Sequence, residues 1–231
     1  MDTMEQQRAF QRHYRQGVSA NYRGPWHAAA VALLGSGVIA LALGQLESVS
    51  GWQWWTVAVA LLIANVLEYV AHRWLGHRRT RILPLFYQRH SGDHHRFFTH
   101  QDLLCRDSRD WRVVLFPLYL IVVISLSNAA VGLLLSAWLG ANSGWLWLAT
   151  TVAAYLWYEV SHFCWHLPAT HRLFRIGCLA RMRERHRLHH HPKRMNRVNF
   201  NITWPLTDWL LGTGSLTPSQ DDVDGGLSQQ R

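Results

Sequence analysis

The sequence predicts an all-α, polytopic membrane protein with four transmembrane crossings and a helical cap at the cytoplasmic face. Three observations lead there. Uncharged apolar stretches as long as a bilayer is thick recur along the chain, all 23 Lys and Arg residues lie outside them, and most of the 15 histidines sit in the basic segments that follow the second and fourth stretches.

Residues 26–46 carry no charge, and residues 52–72 carry only Glu68. Each is long enough to span as a helix, at about 1.5 Å per residue. Residues 113–140 are again uncharged and fit one tilted helix or two shorter segments meeting near Ser127-Asn128. Residues 145–166 form the last span, with Glu159 near its far end. Lys and Arg fall only in residues 1–23, 73–112 and 172–231, never in the short links near 47–51 and 140–144. The positive-inside rule therefore puts both termini and the basic segments in the cytoplasm. Trp52, Trp54, Trp55, Trp138, Trp145 and Trp147 are expected to ring the opposite interface. A shared site for the histidines on either side of residues 113–140 requires that stretch to cross a net once. The reading is a single integral-membrane domain over residues 1–213 and a disordered polar tail over 214–231.

A formal charge of +9 in a chain that is 49% hydrophobic suits a membrane face better than nucleic acid, because the cations alternate in blocks with spanning stretches. Three cysteines without CxxC spacing argue against a disulfide framework and a zinc ribbon. The first apolar run is long enough to act as an uncleaved anchor.

Ten histidines form four clusters: His72 and His77; His90, His94 and His95; His162 and His166; and His186, His189 and His190. Positions i,i+4 share a helix face, so His162 and His166 can chelate one ion, and His186, His189 and His190 present three imidazoles over one turn. His72 and His77 are about 140° apart round a regular helix and need a helix end or kink to converge. Imidazole binds Fe, Zn, Cu and Ni, and ten ligands exceed the four to six or so that one transition metal takes. Two metal ions are the economical reading. Glu68, Asp93, Glu159, Glu184, Asn199 and Asp208 lie near the clusters and are candidates to accept the second N–H of the ligating rings. His13, His27, His100, His171 and His191 read as ordinary surface or packed residues. Tyr155, Trp157 and Tyr158 suit packing or a substrate channel equally.

The clusters in this order, followed by HRLHHHPKRMNRVNFNITWPLTDWLLGT, resemble the fatty acid hydroxylase / sterol desaturase superfamily over roughly residues 60–213. The ten histidines match the family's boxes one for one, and Asn199-Phe200 and Asp208-x-x-x-Gly212-Thr213 match the motif that trails them. One departure is the second box, which has three residues between His90 and the His94-His95 pair where two are common. The resemblance implies two Fe ions held by the ten histidines, with zinc able to occupy the same ligands, and O2 as co-substrate. It also implies a membrane lipid substrate, an acyl chain or isoprenoid, hydroxylated with electrons from a separate ferredoxin- or cytochrome-type donor and its reductase. Desaturation at the same site is the rival reaction. A non-enzymatic metal-binding or transport protein is the rival class, which the almost purely apolar spans disfavour.

Overall fold

The computed structural model describes residues 3–217, and among these it is all-helical with no strand. Ten α-helices are connected by short 3₁₀ and π turns. They are α1 Thr3–Gly17, α2 Gly24–Gly44, α3 Trp55–Val70, α4 Pro84–Tyr87, α5 His95–Phe97, α6 Trp111–Val114, α7 Tyr119–Leu139, α8 Ala141–Trp165, α9 Gly177–His189 and α10 Leu206–Leu210.

Helices α2, α3, α7 and α8 run alternately up and down and form the apolar body. Pro25 starts α2, where its fixed φ and missing N–H fit the first turn. Gly24 is required just before it, because a Cβ there would meet the Ser108 carbonyl oxygen at 2.4 Å. Gly140, at φ +83°, turns α7 directly into α8. The two helices then approach so closely that a Cβ on Gly144 would lie 2.3 Å from the Gly132 carbonyl oxygen. At this end Asn142 donates to the Glu47 carbonyl (2.6 Å) and to Gln53 Oε1 (3.2 Å), and its Oδ1 accepts from the Glu47 N–H (3.0 Å). Both links, which carry no Lys or Arg, are thereby tied together at one end of the body. All four histidine clusters lie at the other.

Among the described residues, three segments are long and apolar enough to cross a membrane: Gly24–Gly44, Gly51–Gly76 and Ser108–Leu139. Their outward residues, such as Leu33, Leu62, Leu126 and Leu134, are exposed, as a lipid-facing surface requires. The fourth helix, α8, is 25 residues long but does not meet that apolar criterion. The reason is its central place: it packs against α2, α3 and α7, so it carries Thr151, Tyr155, Glu159 and Ser161 on buried faces where the other helices carry lipid-facing Leu and Val. The stretch expected over 113–140 is one helix, α7, preceded by a break at Leu115–Leu118. Trp147 corrects the expected interfacial ring, because it is buried and donates to Asn128 Oδ1 at 3.1 Å. Trp52, Trp54, Trp55 and Trp138 are exposed.

The cap has two features that sequence periodicity does not announce. The polar N-terminal segment is a helix, α1, held by buried Gln7 and Gln11: Gln7 Nε2 donates to the carbonyls of Phe97 (2.9 Å) and Asp102 (2.8 Å), and Gln11 Nε2 to Phe97 (2.8 Å). Arg15 adds a two-pronged ion pair to fully buried Asp110 at 2.7 Å. Residues 214–217, assigned above to the tail, are bonded to the cap, as in Ser215 N–H to Asn199 Oδ1 at 2.8 Å. The remaining tail, 218–231, lies outside the described residues.

Candidate metal centre

Each of the first two histidine clusters is built on a π turn. Ala71–Gly76 and Gln88–His94 are closed by i→i+5 hydrogen bonds, which widen the turn so that residues five apart superpose. This is the kink that His72 and His77 need. It also absorbs the extra residue of the second box, because His90 and His95, five apart, approach to 3.0 Å between Nε2 atoms. Gly76 leaves room for this packing: a Cβ there would stand 2.8 Å from His90 Cδ2.

Nine of the ten histidines fall into two groups whose ligand atoms lie within 4.8 Å of one another: His72, His77, His90, His95 and His189, and His94, His166, His186 and His190. His162 stands at the edge of the second group, its Nε2 3.2 Å from that of His94. Every one of the ten is at most 9% exposed. Burial and the neighbouring rings hold His90, His94, His95, His186, His189 and His190 well below the usual histidine range, so these rings are neutral.

The backbone sets the tautomers. Nδ1 donates to a carbonyl oxygen in His72 (Phe200, 2.5 Å), His94 (Val113, 3.2 Å), His166 (Leu103, 2.9 Å), His189 (Val198, 2.8 Å) and His190 (Phe98, 2.8 Å). His77 Nδ1 donates to Ser91 Oγ (3.3 Å), whose own proton goes to the Gly76 carbonyl. The Nε2 of each therefore presents a lone pair to the interior. Among the described residues no carboxylate reaches a box histidine, which corrects the expectation for Glu68, Asp93, Glu159 and Glu184. Glu68 accepts from the N–H groups of Ile202 and Thr203 and from the Thr203 hydroxyl, and Asp93 from Gln88. Glu159 accepts from Tyr155 and the Phe116 N–H, and Glu184 pairs with Arg187.

Asn199 and Asp208 act one step further out. Asp208 accepts from the N–H groups of Phe200 (3.0 Å) and Asn201 (2.8 Å), while Asn199, at φ +61°, bonds the Arg185 carbonyl (3.0 Å) and Ser215. Together they shape the loop whose Val198 and Phe200 carbonyls orient His189 and His72. The carbonyl acceptors were not foreseeable from sequence, since any residue type carries one. Cys164, between two box histidines, packs with Trp165 and Met182, and His171 caps the turn at Leu173 and lies against the Phe174 ring.

Facing lone pairs repel unless a cation lies between them, and burial makes a proton a poor choice. Two nitrogens bound at right angles to one ion, each at about 2.1 Å, lie about 3.0 Å apart. The Nε2 separations of 3.0–3.2 Å in both groups fit that edge of a coordination polyhedron. The donor set is thus suited to two imidazole-ligated transition ions.

A cavity of about 900 Å³ runs along α3, α7 and α8 from Leu43 and Trp54 to the first histidine group, whose His72 and His90 form part of its wall. Its wall is largely apolar, with Asn65, Glu68, Thr203 and Tyr158 near the histidines. Tyr155 and Trp157 line it too, and Tyr155 also packs in the apolar core with Val152 and Ile121.

Among the described residues, an all-helical body with three helices long and apolar enough to cross a membrane, capped by two buried histidine groups that could each hold a metal ion, is the make-up of a membrane metal-site protein. The fatty acid hydroxylase family model matches residues 57–213, and the chain belongs to that family. No curated protein and no solved structure gives a significant match. Helices α1 and α2 precede the matched region.

Proposed function

We propose that this chain is an O2-dependent membrane oxidoreductase that holds two iron ions and hydroxylates a lipid-like substrate, an acyl chain or isoprenoid. The observation that carries the reading is the junction of a long apolar cavity with a buried cluster of inward-facing imidazole lone pairs. When bound, the iron pair supplies O2 activation and hydrogen abstraction from an unactivated C–H bond, chemistry that no side chain performs. The balance is R–H + O2 + 2e⁻ + 2H⁺ → R–OH + H2O.

The protein's own part is placement. The largely apolar cavity suits a hydrocarbon tail, and His72 and His90 in its wall put a reacting carbon beside the first histidine group. A lipid need not leave the bilayer fully, which keeps its apolar surface buried. We place α8 as the fourth crossing, with both termini and the histidines cytoplasmic. In support, the two links without Lys or Arg share one end of the body, and the described Lys and Arg fall in the segments at the other.

The test supplies isotopically heavy O2 and an electron source to the iron-loaded protein in lipid, with products read by mass spectrometry. One heavy oxygen in a lipid product is expected. An unlabelled alkene would move the assignment to desaturation, and no O2-dependent product with any lipid class would remove the oxidoreductase reading.

A further inference from the structure

A second cavity, of about 700 Å³, shares no lining residue with the apolar one. Its walls come from α1, the loop 100–106, the turn 168–170 and α9. Four arginines line it, Arg8, Arg106, Arg183 and Arg187, against one carboxylate among its lining residues, Asp102. That carboxylate is already taken by Arg106 at 2.7 Å, and Arg187 is held by Glu184 at 2.6 Å. Arg183 and Arg187 share one face of α9, and Arg8 is exposed on α1.

The cleft also connects to the second histidine group through one wall residue. Leu103 forms part of its wall, and the same residue's carbonyl accepts from His166 Nδ1 at 2.9 Å. His166 in turn lies 3.1 Å from His186, Nε2 to Nε2. One backbone carbonyl and one hydrogen bond therefore join the cleft wall to a ring of the second group. The two cavities divide the cluster: the apolar one touches His72 and His90 of the first group, and the basic one backs onto the second.

We propose that this arginine-lined cleft is the docking site for a small acidic one-electron carrier, which delivers electrons by way of the Leu103–His166 contact. The proposal rests on the oxidoreductase reading, whose balance needs two electrons per O2, hence two successive one-electron deliveries. Complementary charge suits such a partner because encounters must be fast and reversible. An anionic lipid headgroup shares the chemistry of the cleft but would leave the metal centre without a reductant there.

The probe is an acidic [2Fe–2S] ferredoxin added to the iron-loaded protein in phosphatidylcholine nanodiscs, with binding followed by calorimetry and metal reduction by absorbance. Reduction of the wild-type protein by dithionite, which needs no docking, separates the readings: its failure would sink the oxidoreductase reading itself. Arg8→Glu and Arg183→Gln, each first shown to retain metal, are expected to weaken ferredoxin binding at least about tenfold, to slow reduction by it in step, and to flatten the salt dependence. Arg79→Glu, exposed and outside the cleft, is expected to change none of these. Ferredoxin binding that Arg8→Glu and Arg183→Gln leave intact would overturn the proposal. So would a loss confined to phosphatidylglycerol binding, which would mark the cleft as a headgroup site.

Discussion

His94 and His190 face one another through Nε2 atoms 3.1 Å apart, although each has given its Nδ1 proton to a backbone carbonyl, of Val113 and Phe98 respectively. Two acceptors at that distance in a dry interior call for a cation. Removing metal from the purified protein with a chelator is therefore expected to lower its melting temperature, and re-addition to restore it. Each site held at 100 times its dissociation constant contributes about 2.7 kcal/mol. A melting temperature indifferent to chelation would contradict the cationic reading of these contacts.

Gly76 is the tightest point of the first group, where a Cβ would meet His90 Cδ2 at 2.8 Å. Gly76→Ala is expected to displace His90, to cost about 1–3 kcal/mol as overpacking does, and to weaken one metal while sparing the other. Metal titration of the variant checks this. Equal weakening of both ions would show that the two histidine groups are not independent sites.

Gln7 and Gln11 are far from every histidine in sequence, yet they hold the carbonyls of Phe97 and Asp102, the neighbours of the Phe98 and Leu103 carbonyls that orient His190 and His166. The double variant Gln7→Leu, Gln11→Leu is expected to reduce affinity for the second group's metal selectively, alongside a stability loss of about 1–3 kcal/mol from three buried hydrogen bonds. If both ions are retained with wild-type affinity, α1 has no part in positioning the site.

Ala154 lines the apolar cavity on α8. Replacing it with Phe should block part of the channel, cutting turnover of long-chain lipid at least tenfold on the estimate that each misplaced ångström at a reacting carbon costs about 10²-fold, with metal content unchanged. Undiminished turnover would show that substrate does not pass there.

Cys178 is exposed in the cap, whereas Ser48 is exposed in the link between the first two helices of the body. An impermeant thiol reagent on intact cells is expected to label Ser48→Cys and to reach Cys178 only after permeabilisation. The reverse pattern would invert the proposed orientation.

The apolar helices and the clustering of histidines were readable because both are patterns of residue type. Composition also carried the charge asymmetry. It could not show how histidines five apart would meet, since i,i+5 spacing matches no regular α-helical face and only the π turns at Ala71–Gly76 and Gln88–His94 resolve it. Acidic residues near the boxes looked like natural acceptors, but Glu68 and Asp208 are spent on backbone N–H groups of residues 200–203, and carbonyls hold the rings instead. The α1 helix was hidden for a related reason. Its fully buried side chains are Gln7 and Gln11, and the apolar Phe10 and Tyr14 beside them are only partly buried, so the packed face does not stand out by composition.

The most direct test of the account is the metal content per chain of the purified, iron-supplied protein, compared with that of His77→Ala and His166→Ala. One residue is drawn from each group. The account predicts about two ions per wild-type chain and about one in each variant, because a buried site that loses one imidazole loses much of its affinity. A wild-type chain with one ion or none, or variants with undiminished metal, would contradict it.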